Sequence, residues 1–173
     1  ALYERGDAIT GTPTGYVDFD ELTAGLQPNA LVVVGARPGM GKTSFALGMA
    51  AHAALEAHRP VLFFSLEMSQ TEITMRMLSA EASVPLSHMR QGTMSSEEWD
   101  RVSGKASLIG SAPLYVDDSP NLTMMEIRAK ARRIKAQHGG LALIMIDYLQ
   151  LMSGSGRSEN RQLEVSEISR NLK

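Results

Sequence analysis

The chain has 173 residues, enough for one domain with a sizeable core, and its 43% hydrophobic and 21% charged residues are globular values. A net charge of −2 gives no overall basic field, so any nucleic-acid contact must rest on a local patch. There is no Cys, which excludes disulfides and thiolate zinc sites. No secretory h-region opens the chain and no apolar run approaches the roughly 18 residues of a membrane span, so a soluble intracellular protein is the expectation.

In chain order, Ala1 to Asn29 is rich in Gly, Thr, Asp and Pro. Thr12-Pro13-Thr14-Gly15 reads as an extended turn. A short helix with Val17, Phe19 and Leu22 as its apolar contacts is expected before Gly25-Leu26-Gln27-Pro28 breaks it. Leu31 to Gly35 is the first predicted strand. After a glycine-rich turn comes a helix whose Ala46, Met49, Ala50, Ala53, Ala54 and Ala57 form a narrow stripe fit to lie against a sheet. Arg59-Pro60 ends it. Val61 to Leu66 is a continuous apolar run, the signature of a strand buried on both faces, and it ends in Glu67.

Ser69-Gln70-Thr71-Glu72 predicts a capping box and a helix through about Ala82, closed before Pro85. Ser95 and Glu98 predict another, for a helix with Trp99, Val102 and Ala106 on one side. Pro113 to Asp117 is a short strand. Thr123 and Glu126 open a helix to His138 that stops at Gly139-Gly140, and Leu141 to Asp147 is the last clear strand. A polar Gly/Ser loop over 153–160 then leads to a helix with Val165, Ile168 and Leu172 inward. Strands alternate with helices, so the class is α/β with a mostly parallel sheet flanked by helices. The periodic helix stops at Lys173 without Gly or Pro, and a truncated chain is the expectation.

Chemistry concentrates at the turn Ala36-Arg37-Pro38-Gly39-Met40-Gly41-Lys42-Thr43-Ser44, set between strand and helix as a P-loop requires. Gly39 and Gly41 let the backbone curl until its N–H groups face an anion, and the following helix adds the positive end of its dipole. Lys42 suits the β- and γ-phosphates of ATP, and the Thr43 hydroxyl suits Mg²⁺. The strict pattern places Gly where Ala36 stands, with Gly35 one step earlier. Leu143-Ile144-Met145-Ile146-Asp147 reads as a Walker B strand that delivers one carboxylate to the Mg²⁺ shell. Glu67 is the candidate general base for the attacking water, against a plain solvated acid at a strand end. Gln150 suits phosphate sensing or DNA as well as it suits a loop cap.

Arg128, Lys130, Arg132, Arg133 and Lys135 flank the apolar seam Ile127, Ala131 and Ile134. A solvated helix face or a subunit contact suits them better than a DNA groove. Arg157 and Arg161, in or beside the Gly/Ser loop, are the better DNA candidates, since a loop there can carry Arg to backbone phosphates. The eleven Met read as core filler, and the four His lack metal-ligand spacing.

Gly35 through Thr43, Phe64-Ser65-Leu66-Glu67-Met68 and Asp147-Tyr148-Leu149-Gln150-Leu151-Met152 resemble the bacterial replicative DNA helicases, the DnaB family. So do the opening Thr12 to Gly15, Leu22 to Leu26 and the tail Asn160 to Arg170, in family order. The resemblance implies part of a RecA-like ATPase domain (30–173) behind a linker remnant and lead-in segment (1–29). It implies a homohexameric ring on single-stranded DNA at the replication fork, working in the bacterial cytoplasm and nucleoid. ATP would be hydrolysed between subunits to drive translocation and unwinding.

By position, the resemblance makes Lys42 and Thr43 the holders of phosphate and Mg²⁺, Asp147 the Mg²⁺ support, Glu67 the catalytic carboxylate, and 157–161 a channel-facing stretch. It places the contacts to primase and helicase loader, the arginine finger and the main DNA loop in regions mostly outside this chain. Another RecA-like ATPase of recombination or repair, of the RadA kind, is the alternative. A nucleotide-dependent scaffold is a third reading, and Glu67 argues against it.

Overall fold

The sheet is built outward from Val61–Ser65 (β1), whose five residues are all buried. The computed structural model of the chain describes residues 9–120 and 122–148. Beside β1 lie Leu114–Asp117 (β2) and Leu143–Asp147 (β3), in the spatial order β2-β1-β3 with both pairings parallel. Alternation explains the unbroken apolar run. Val61 and Phe63 pack with Leu114, Val116, Leu143 and Met145 on one face, while Leu62 and Phe64 pack with Tyr115 and Ile146 on the other. A strand covered on both sides has no place for a polar residue until its end.

Six α-helices connect and cover this sheet: α1 (Val17–Thr23), α2 (Lys42–Ala51), α3 (Gln70–Ala82), α4 (Leu86–Gln91), α5 (Ser96–Ser111) and α6 (Met124–His138). α2 runs on through a π-helical stretch, His52–Glu56. Its predicted small-residue stripe is turned inward: Met49, Ala50, Ala53 and Ala54 are buried, beside Leu47, Leu55, Ile73 and Met77. α6 covers the opposite face through Ile127, with Ala131 and Ile134 packed behind it. Helices on both faces of a parallel sheet make this a doubly wound α/β fold.

Local signals set the helix ends. Ser95 with Glu98 and Thr123 with Glu126 form complete capping boxes. At α3 the Ser69 hydroxyl accepts the Glu72 N–H, while the Glu72 carboxylate binds Arg76 and Arg90 and so ties α3 to α4. Gly139 closes α6 in the left-handed conformation. Helix α4 carries no cap or strong periodicity that sequence patterning could have found.

Three expectations need correction. Leu31 to Gly35 pairs with no strand among the described residues; Leu31, Val32, Val33 and Val34 are 40%, 50%, 75% and 42% exposed. A β-branched run states what environment it needs, and pairing decides whether it gets it. In α1, Val17 and Leu22 point to solvent and only Phe19 makes an apolar contact, edge-on to Phe45. In α5, Trp99 and Ala106 are exposed; the inward side carries Val102 and Ile109, so the seam is rotated by one position. The helix expected around Val165, Ile168 and Leu172 lies outside the described residues, as do Ala1 to Ala8.

The lead-in segment is fastened to α2. The buried Asp20 carboxylate accepts the Thr14 N–H, the Thr14 hydroxyl and the Gly15 N–H, closing the turn on itself. Tyr16 stacks on Phe45 at 4.7 Å. Gly15 has φ +83° and lies against His52, where a Cβ would come within 2.6 Å of the imidazole, so both backbone and space demand glycine.

Candidate functional site

Parallel strands send their carboxyl ends to one rim, where ligands of open α/β sheets gather. Asp147 ends β3 and lies in register with Ser65 at the end of β1, and the Leu66 N–H donates to the Asp147 carbonyl at 2.7 Å. The helix that follows the P-loop, α2, packs across β3 and brings its first residues to the same place. The result joins residues from opposite ends of the chain. Thr43 Oγ1 donates to Asp147 Oδ2 at 2.6 Å, and Lys42 Nζ lies 3.0 Å from Asp147 Oδ1.

The loop itself has the form its glycines predict. Gly39 and Gly41 take φ +77° and +83°, in the left-handed region, and nothing lies within 4 Å of a Cβ built on either. Backbone conformation, not crowding, is what demands glycine here. Residues 36–41 are exposed, and no side chain caps the N-terminus of α2. The first-turn N–H groups therefore face outward as an anion site. Ala36, which stands where the strict motif has Gly, is accommodated in this open loop.

Glu67 is exposed at the same rim, in the turn that follows β1. That turn is held from both sides. The Ser65 hydroxyl donates to the Met68 carbonyl at 2.6 Å and accepts the Met68 N–H at 3.2 Å. Beyond it, the Gln70 N–H donates to Asp118, which follows β2, at 2.7 Å. Lys42, Thr43 and Asp147 are thus in direct contact, while Glu67 shares their edge of the sheet without touching them.

Sequence reasoning missed two contributors. Ser65, which shapes the Glu67 turn, gave no signal beyond being a polar residue in an apolar run. Tyr148 places its ring 4.1 Å from Lys42 Nζ. Gln150, Arg157 and Arg161 lie outside the described residues. In α6, Lys130 is turned to the protein, within reach of Asp117 at 2.5 Å and Ser119 at 3.0 Å, while Arg132, Arg133 and Lys135 are exposed.

Residues 11–173 match the DnaB-like helicase C-terminal domain family. The chain belongs to this family. Over its whole length it is 54% identical to the replicative DNA helicase DnaB of Leifsonia xyli subsp. xyli (strain CTCB07), of which it spans 38%. It is 47% identical to the DnaB of Geobacillus stearothermophilus, covering 99% of this chain and 38% of that protein. Among solved structures it is similar to an isolated ATPase domain, with TM-score 0.92 and 29% identity over 98% of this chain and 61% of that one.

A DnaB-like replicative helicase studied with its interactions with primase gives TM-score 0.89 and 30% identity, over 98% of this chain and 42% of that one. The DnaB fold is the RecA-like P-loop architecture expected from the motifs. These likenesses favour the replicative helicases over the RadA kind. Among the described residues, no helix is long and apolar enough to cross a membrane.

Proposed function

We propose that this chain is the nucleotide-binding part of a replicative helicase motor, one that hydrolyses ATP in a hexameric ring to move along single-stranded DNA and unwind duplex. One observation carries this reading: the P-loop Lys42 and Thr43 meet the Walker B Asp147 at 3.0 Å and 2.6 Å, at the carboxyl rim of a parallel sheet. In this proposal the unit is 30–173, with 1–29 as its lead-in.

Each residue then has a physical task. Backbone N–H groups over 36–44 cradle the phosphate chain, aided by the dipole of α2. Lys42 offers a point charge to the β- and γ-phosphates. The Thr43 hydroxyl and Asp147 carboxylate are hard oxygen donors 2.6 Å apart, which fits Mg²⁺, an ion that combines one or two protein ligands with substrate phosphates. Bound Mg²⁺ would neutralise charge on those phosphates. Glu67, in a turn pinned by Ser65, accepts a proton from the attacking water. We assign DNA contacts to Arg157 and Arg161 and, by analogy with the primase-interacting relative, a primase partner to the longer protein.

Strand displacement on a forked duplex tests the proposal, with the full-length protein that carries this chain. ATP-dependent unwinding that is lost in Lys42→Ala is the expected outcome. A full-length protein that binds ATP but displaces no strand would refute the helicase assignment.

A further inference from the structure

The Lys42 ammonium has two neighbours on its own chain: the Asp147 carboxylate at 3.0 Å and the ring of Tyr148, whose centroid is 4.1 Å away. Consecutive residues at the end of one strand thus hold the same cation, one through charge and the other through the negative face of a π-system. Three facts make this more than proximity. Lys42 is only 27% exposed in its side chain, so the contact is partly desolvated, where a cation–π interaction is strongest. Tyr148 is half-buried and follows directly on Asp147, which is tied to β1 through Leu66. Lysine has a flexible four-carbon stem, and an unsupported ammonium would sample many positions over the loop.

We propose that Tyr148 is the positioning residue for Lys42: its ring fixes the ammonium at the rim so that it meets the nucleotide phosphates already in place. The proposal rests on the reading of Lys42 as a phosphate-binding residue. An ammonium carries three N–H donors. Asp147 takes one, the ring faces a second, and the third is directed to a phosphate oxygen. Ordering the stem before binding saves side-chain entropy that would otherwise be lost on binding, so the benefit falls on nucleotide affinity rather than on the chemical step.

The experiment compares Tyr148→Leu with Tyr148→Phe in the full-length protein, using a fluorescent ATP analogue for affinity and steady-state ATPase for KM and kcat. Tyr148→Leu, which removes the π-face, raises Kd and KM about three- to tenfold with kcat changed less than KM. Tyr148→Phe, which keeps the face, recovers most of that loss. Equal effects of the two variants, or a fall in kcat alone, overturn the proposal. Lys42→Ala is the separate control: if it leaves analogue binding intact, the phosphate-site reading itself fails.

A second measurement needs no Tyr148 variant. After reductive ¹³C-methylation, the Lys42 methyl resonance, assigned by its loss in Lys42→Arg, is displaced upfield by the ring current. An undisplaced resonance overturns the proposal even if Tyr148→Leu does not fold.

Discussion

Asp147 is 5% exposed, yet each of its oxygens has a partner: the Thr43 hydroxyl on one and the Lys42 ammonium on the other. A buried carboxylate satisfied in this way orders the rim. Glu67 differs, since it is exposed and its value to catalysis depends on reaching a water molecule, not on holding the fold. Glu67→Gln should therefore keep ATP-analogue affinity within about twofold while turnover falls by roughly 10²–10⁴, the usual weight of a general base. Parallel binding and single-turnover measurements would show it, and equal losses in both would remove Glu67 from the chemistry.

Asp117 supplies a pH signature. Burial pushes its carboxyl up, but the Lys130 ammonium and the Ser119 hydroxyl and N–H outweigh this and hold it below the usual carboxylate range. A carboxyl depressed on folding contributes stability that is present above its unfolded value, near 3.8, and lost as pH falls through the folded one. Asp117→Asn should cost about 1 kcal/mol in urea unfolding at pH 7, and the gap from the parent should close at pH 3. A gap that persists at pH 3 would show that the cost comes from packing instead.

At the scale of elements, the capped helices and the doubly buried strand were legible because their causes are local. A Ser or Thr three residues before Glu closes a box whatever the tertiary context, and six apolar residues in a row suit only a strand covered on both faces. The inward side of α5 was harder to read. Trp99 is the largest apolar residue there but is 52% exposed, because the helix is set by its contacts with α3 and by the short link from α4, including the His88–Glu98 pair at 2.9 Å. Rotation about a helix axis is a property of what the helix packs against.

The Leu31 to Gly35 segment makes the same point for strands. Its residues are β-branched and apolar, and β3 has β1 on one side and no strand on the other among the described residues. An apolar strip and an unpaired sheet edge have complementary needs. Hydrogen exchange should therefore find the amides of 31–35 fast in a protein made of residues 1–173 and protected in the full-length protein. Equal exchange in both would mean that this segment is not a strand in either setting.

For the whole molecule, the chain spans 38% of the length of the DnaB proteins it matches, and in the ring proposed for it the catalytic site is shared between two subunits. If an arginine supplied in trans carries about 10³–10⁵ of the rate, as in related NTPases, residues 1–173 alone should bind nucleotide weakly and unwind nothing. ATPase activity of the purified chain equal to that of the full-length protein would refute this.

Sequence alone determined the order of strands and helices, the P-loop and the acid that closes β3, since each depends on periodicity, a cap or a glycine within a few residues. Tertiary structure alone decided that Asp147 meets both Lys42 and Thr43, that Ser65 shapes the Glu67 turn, and that Tyr148 lies beside the lysine. Those contacts join residues far apart in the chain or depend on side-chain direction at a strand end. Both follow from how the sheet is assembled, not from any local run of residues.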